Sequence, residues 1–141
     1  MKLITIVIGT RPEAIKLAPV VKILSEANIF KVRVVLTGQH KEMVSKLMKL
    51  FEIPIDINLN VLKFGQSLSK LSSKIILELE KEFILNKPSL VIIQGDTTTA
   101  FCASLAAFYQ NIKIAHVEAG LRTENLFNPF PEEANRRLIS Q

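Results

Sequence analysis

Three carboxylates, Asp96, Glu118 and Glu132, and two cations, Arg11 and Lys16, stand in short polar segments that interrupt apolar stretches of the chain. Carboxylates transfer protons, and an arginine with a lysine steadies an anion such as a phosphate. The segments are Gly9-Thr10-Arg11-Pro12-Glu13 with Lys16, Gln39-His40, Gln94-Gly95-Asp96-Thr97-Thr98-Thr99, Glu118-Ala119-Gly120-Leu121-Arg122 and Pro129-Phe130-Pro131-Glu132-Glu133. Each candidate also has a purely structural reading. A lone Asp96 before Thr97 is better read as a helix N-cap. Glu132 competes with Glu133 for a place at a helix dipole. Arg11 and Lys16 serve equally well as surface charge. Glu118 runs from an apolar strand directly into Ala119-Gly120, where no cap is needed, and partial burial there is expected to raise its pKa.

The elements that must position these groups follow from the apolar pattern. Leu3 to Ile8, Val32 to Leu36, Leu90 to Ile93 and Ile112 to Val117 are short apolar runs, the mark of strands buried on both faces of a parallel sheet. Ile55, Ile57 and Leu59 alternate with Asp56 and Asn58 and predict a short strand with one polar face. Helical spacing takes over between the strands. Pro12 opens a first helix with Ala14, Ile15, Leu17, Ala18, Val21 and Leu24 inward and Pro19 expected to kink it. Met43, Leu47, Leu50 and Phe51 mark a second helix. Leu68, Leu71, Ile75, Leu79 and Phe83 stripe a third, with Lys70, Lys74, Glu78 and Glu82 placed off the stripe. Thr97 to Tyr109 is a small-residue fourth helix, and Pro131 begins a fifth.

Strand, helix, strand repeated in this way predicts an α/β doubly wound, Rossmann-like parallel sheet in the order 3-2-1-4-5. The polar segments then follow the carboxyl ends of the strands, where such sheets bind ligands. The last helix shows no stop signal after Leu138 and Ile139, so the chain is expected to be cut within a longer protein.

With 141 residues, 48% hydrophobic and 22% charged, the composition fits one globular core and excludes disorder. A net charge of +5 favours an anionic partner, yet no basic stripe interleaved with aromatics is present, so nucleic acid is not expected. The single cysteine, Cys102, lies in an apolar stretch and reads as core. No run approaches the ~20 apolar residues of a membrane helix, no signal peptide opens the chain, and a cytoplasmic protein is expected. Neither the dinucleotide glycine fingerprint nor the phosphate loop occurs, which argues against a nicotinamide site or an ATPase. No metal-ligand cluster and no Ser-His-Asp turn is evident. His116 reads as a near-core residue and His40 as a helix-start or solvent contact.

Taken together and in order, Gly9-Thr10-Arg11-Pro12-Glu13-Ala14-Ile15-Lys16-Leu17-Ala18-Pro19, Thr37-Gly38-Gln39-His40, Gln94-Gly95-Asp96-Thr97-Thr98-Thr99, His116-Val117-Glu118-Ala119-Gly120-Leu121-Arg122-Thr123 and Pro131-Glu132-Glu133-Ala134-Asn135-Arg136 resemble the motifs of the non-hydrolysing UDP-N-acetylglucosamine 2-epimerases. The resemblance implies the N-terminal half of a two-domain, glycosyltransferase-B-like enzyme, spanning residues 1–141, with a C-terminal UDP-binding domain beyond it. It implies interconversion of UDP-N-acetylglucosamine and UDP-N-acetylmannosamine by elimination and readdition of UDP, with no cofactor, no obligatory metal and a homodimeric full-length protein. It assigns acid-base roles to Asp96, Glu118 and Glu132, and substrate or diphosphate contacts to Arg11, Lys16, Asp96 and Glu118. A histidine and most uridine contacts would come from the second domain, and neither His40 nor His116 matches that histidine. Glu42 stands where some bacterial members with an activating substrate site carry glutamine. A hydrolysing relative, a UDP-sugar glycosyltransferase domain and a non-catalytic remnant are the competing readings, and the isolated 141 residues are expected to be inactive.

Overall fold

The computed structural model describes residues 1–38 and 41–141, without the side chain of Lys41. In chain order it contains β1 (Lys2–Ile8), α1 (Arg11–Glu26), β2 (Phe30–Leu36), α2 (Lys41–Leu50), β3 (Ile57–Asn58), α3 (Leu68–Leu85), β4 (Leu90–Gln94), α4 (Thr98–Tyr109), β5 (Lys113–Val117) and α5 (Glu132–Ile139). The strands form one sheet in the expected order, β3-β2-β1-β4-β5, and every pairing is parallel. Ile6, for example, lies level with Val34 on one side and Ile92 on the other.

Two cores cover the two faces. Along β1, Ile4, Ile6 and Ile8 point toward Ala14, Leu17 and Val21 of α1 and Met48 of α2. Val7, with Val35, Val91 and Ile93, joins the opposite core against Leu71, Ile75, Leu79 and Phe83 of α3 and the alanines of α4. This alternation is the two-residue period of a strand, and it explains why neither face of β1 tolerates charge. Burying a side chain the size of Phe83 or Leu79 contributes about 1.5–3 kcal/mol. Ala100, Cys102, Ala103, Ala106 and Ala107 are all buried, so the small face of α4 lets it lie close over the sheet. Cys102 is a core residue as expected, and burial pushes its thiol up to about 11.

Ile15, expected on the inner face of α1, is exposed, and two further expectations need correction. The third strand is only two residues long; just before it the Asp56 side chain, through Oδ2, accepts from the Val34 amide at 2.7 Å in place of a backbone carbonyl. Glu82, placed off the inner stripe of α3 by its spacing, is buried and accepts from Arg33 Nε of β2 and from Asn86 Nδ2 at 3.1 Å. A cation supplied by a neighbouring strand makes the carboxylate tolerable inside, which helical spacing alone does not reveal.

α1 passes through Pro19 without ending, and no basic residue stands in its last turn. At the exit from β1 the chain lies against α4 so closely that a Cβ on Gly9 would sit 2.1 Å from Thr99 Oγ1. Thr99 is itself buried and its hydroxyl lies 2.9 Å from Thr37 Oγ1, so it has little room to retreat. Gly9→Ala is therefore expected to destabilise the fold by about 1–3 kcal/mol through overpacking. A thermal melt checks this, and an unchanged midpoint would contradict it.

Candidate functional site

The exits from β1, β4 and β5 and the start of α5 meet at the carboxyl edge of the sheet. A cavity of about 300 Å³ opens there, lined by Thr10, Leu68, Asp96, Thr97, Thr98, Pro131, Glu132 and Asn135. Its walls come from the start of α1, from α3, from the turn between β4 and α4, and from α5.

Asp96 does not cap α4. Thr97 does, its Oγ1 accepting from the Ala100 amide at 2.9 Å. Gly95, at φ +76°, turns the chain after β4 into a conformation that favours glycine, and Asp96 is thereby aimed at α5 instead. Its Oδ2 accepts from Arg136 Nη2 at 2.6 Å and its carbonyl accepts from Asn135 Nδ2 at 2.9 Å. β5 clamps the same turn, with the Gly95 amide donating to the Val117 carbonyl and His116 Nε2 lying 2.6 Å from the Gly95 carbonyl. A carbonyl only accepts, so the ring carries its proton on Nε2. His116 is half-buried, as its near-core reading anticipated, and its buried Nδ1 has no hydrogen-bond partner among the described residues.

Glu118 follows β5 with φ +59°, a left-handed conformation that costs a non-glycine residue energy and often marks functional sites. Its Oε2 accepts from Lys16 Nζ of α1 at 2.5 Å and from Gln94 Nε2 of β4, while its carbonyl accepts from Arg136 Nη1. The expected upward pKa shift is reversed. The hydrogen bond from Lys16 is the largest influence and holds the Glu118 carboxyl below the usual range, outweighing desolvation because the side chain stays partly open to water.

Glu132 and Glu133 divide the two roles between which their sequence context left them. Glu133 is buried, accepts from the Thr123 amide at 3.0 Å and from Arg137 Nε at 2.8 Å, and has its pKa lowered chiefly by Arg137. Glu132 lines the cavity, and its buried Oε2 has no hydrogen-bond partner among the described residues. One carboxylate fastens the β5–α5 loop, and the other is left for the cavity.

Lys16 is thus joined directly to Glu118, whereas Arg11 is exposed at the first position of α1 and makes no ion pair among the described residues. Gln39 and His40 lie outside the described residues. Sequence reasoning missed two further groups. Glu13 is fully buried and accepts from the Gly9 amide, the Thr10 amide and hydroxyl, and the Thr97 hydroxyl. The spacing Thr10-x-x-Glu13 at the start of α1 was the available signal, since a capping-box glutamate folds back onto the N-cap. Burial raises the Glu13 pKa against the opposing effect of these four donors. Arg136, only 3% exposed, joins the Asp96 carboxylate to the Glu118 backbone, and its place beside Arg137 in the sequence gave no sign of burial.

The arrangement brings three carboxylates and a lysine to one edge of the sheet, enough for proton removal and return next to a bound anion. Among the described residues no group of three or more His, Cys, Asp or Glu forms a candidate metal site, and no helix is long and apolar enough to cross a membrane.

Known proteins share both the sequence and this framework. A UDP-N-acetylglucosamine 2-epimerase from Neisseria meningitidis serogroup A is 53% identical over 140 residues, covering 99% of this chain and 37% of that protein. A crystal structure of UDP-GlcNAc 2-epimerase from N. meningitidis bound to UDP-GlcNAc superposes with a TM-score of 0.93 at 52% identity, over 99% of this chain and 38% of that one. MurG of Acinetobacter baumannii, 18% identical with a TM-score of 0.66 over 82% of this chain and 35% of its own, shares the fold alone and agrees with the glycosyltransferase-B-like expectation. The chain therefore spans little more than a third of the length of its curated relatives. A family profile described as UDP-N-acetylglucosamine 2-epimerase matches residues 22–141, and with a relative more than half identical from end to end, the chain belongs to that family.

Proposed function

We propose that the protein to which this chain belongs interconverts UDP-N-acetylglucosamine and UDP-N-acetylmannosamine, and that residues 1–141 form the N-terminal wall of its cleft, opposite a UDP-binding domain. The observation that carries this reading is the meeting of Asp96 and Glu132 in one cavity, with the bonded pair Lys16 and Glu118 at the same carboxyl edge of the sheet. Elimination removes the C2 proton to a carboxylate while the C1–O bond breaks and UDP leaves with the electron pair. The product is a 2-acetamidoglucal. Protonation of C2 on its other face and re-formation of the C1–O bond to UDP then give the epimer. Because the two proton transfers use opposite faces of C2, one carboxylate does not suffice, and the cavity supplies more than one. Arg11 and Lys16 stabilise the diphosphate as its charge grows. The reading extends to a cytoplasmic homodimer that supplies N-acetylmannosamine units for surface polysaccharides.

The test is NMR of the full-length protein with UDP-N-acetylglucosamine in deuterated water. Deuterium at C2 and appearance of the manno epimer support the reading, and absence of both overturns it. Free N-acetylmannosamine would instead indicate a hydrolysing enzyme. The isolated 141 residues are expected to give no exchange, because one wall neither excludes water nor orients the sugar.

The Lys16–Glu118 bond makes a further prediction. A carboxylate with a lowered pKa is ionised above that value, and activity needing the ionised form is lost as pH falls through it. Since Lys16 is the largest cause of the lowering, Lys16→Met will move the acid limb of the kcat/KM profile toward neutral pH. In the wild-type, diphosphate drawing Lys16 away will place the acid limb of kcat, which reports the complex, above that of kcat/KM, which reports the free enzyme. Coincident limbs in both proteins would show that Glu118 is not the group titrating.

A further inference from the structure

Resting on the nucleotide-sugar reading, we propose that Glu13 is a specificity-determining residue that fills the anion position at the start of α1 and reserves the adjoining cavity for the uncharged sugar, leaving the diphosphate to Arg11 and Lys16. In α/β nucleotide-binding folds the amides at a strand-to-helix turn, with the positive end of the helix dipole behind them, draw phosphate. Here that position is taken. Glu13 Oε2 accepts from the Gly9 amide at 3.0 Å, from the Thr10 amide at 2.5 Å and from the Thr10 hydroxyl at 2.8 Å, all within the protein interior. Gly9 lies so close to Thr99 of α4 that a Cβ there would collide with it, so the turn cannot shift toward α4.

The same carboxylate sets what the cavity offers a ligand. Thr10 and Thr97 both line it, and both hydroxyl protons are committed to Glu13, the second through Oε1 at 2.7 Å. Thr97 Oγ1 also accepts from the Ala100 amide. Thr10 therefore presents lone pairs rather than a proton, beside the carboxylates of Asp96 and Glu132. A wall of acceptors suits a ligand rich in hydroxyl and amide donors and repels phosphate oxygens. Arg11, exposed, and Lys16, half exposed, stand outside this acceptor wall, where a charged diphosphate can reach them.

Glu13→Gln in the full-length protein tests the assignment. Glutamine keeps one oxygen for the Gly9 and Thr10 donors, removes the charge, and donates to Thr97, turning that hydroxyl proton toward the cavity. Inorganic pyrophosphate should then inhibit about tenfold more tightly than it inhibits the wild-type, with N-acetylglucosamine binding weakened. Unchanged pyrophosphate inhibition overturns the proposal. If the variant does not fold, amide NMR of the wild-type decides: on adding inorganic pyrophosphate the Gly9 and Thr10 amides should stay in place, and movement of both would overturn it. Wild-type protein that exchanges no C2 proton fails the functional reading instead, and these anion-binding measurements report on Glu13 independently of that result.

Discussion

Glu132→Gln will leave the fold in place and slow exchange of the substrate C2 proton by about 10²–10⁴-fold, the usual contribution of a positioned general acid or base. The structural side is small because Oε2 of Glu132 has no hydrogen-bond partner to lose among the described residues. Loss of one negative charge in the first turn of α5 costs only about 0.3–1 kcal/mol. Glu133→Gln reverses the pattern: its one oxygen serves either the Thr123 amide or Arg137, its NH2 faces the other donor, and the charge of the ion pair is lost, so it lowers stability before it touches the chemistry. Measuring denaturation midpoint and deuterium incorporation on both variants separates the two carboxylates. Wild-type exchange in Glu132→Gln would remove that residue from the proton transfers.

Arg136→Met will be damaging in both respects. The guanidinium is buried and spans the Asp96 carboxylate and the Glu118 carbonyl, joining the β4 and β5 exits to α5. Methionine fills much of the volume but leaves Asp96, about a quarter exposed, without its cation, and the expected loss is about 2–4 kcal/mol, toward the lower part of the range for broken buried pairs because water reaches the carboxylate. Turnover should fall by a further 10²-fold or so, since displacement of a catalytic group by about an ångström has that effect. Arg136→Lys separates the two losses. A lysine reaches one acceptor but cannot hold two in the guanidinium's fixed plane, so stability should recover in part and kcat should not. Full activity in Arg136→Lys would show that the carboxylate–carbonyl bridge does not position the site.

Much of this architecture was legible because the apolar runs are short, β-branched and separated by helical spacing, which leaves few alternatives to a parallel sheet. The polar edge and the buried Cys102 followed from that pattern, and the strand order from analogy with other doubly wound folds. What was not legible depended on partners distant in sequence. Asp96 looked like a cap because Thr97 and Asp96 are both good caps; the choice was made by Arg136, forty positions away. Glu118 looked like a carboxyl with a raised pKa because burial alone was visible, whereas Lys16 stands 102 residues earlier. Glu82 and Glu13 were read as helix-surface charge or passed over, since nothing local tells an acidic residue that donors await it inside. Ile57 and Asn58 paired, but just before them the Asp56 side chain took the Val34 amide from a backbone partner.

Pro19 gives α1 an internal seam. A proline donates no amide hydrogen, so the ladder of hydrogen bonds that would make sixteen residues open and close together is interrupted at its middle. The turns before the seam carry Arg11, Glu13 and Lys16 and are riveted to the loops after β4 and β5 through Thr97 and Glu118; the turns after it are held to the sheet by apolar packing, with Val21 buried. In the language of cooperative units, the first half of α1 belongs with the loops it touches more than with its own second half. Fraying at Glu26 can therefore proceed toward the seam without reaching Arg11, Glu13 or Lys16.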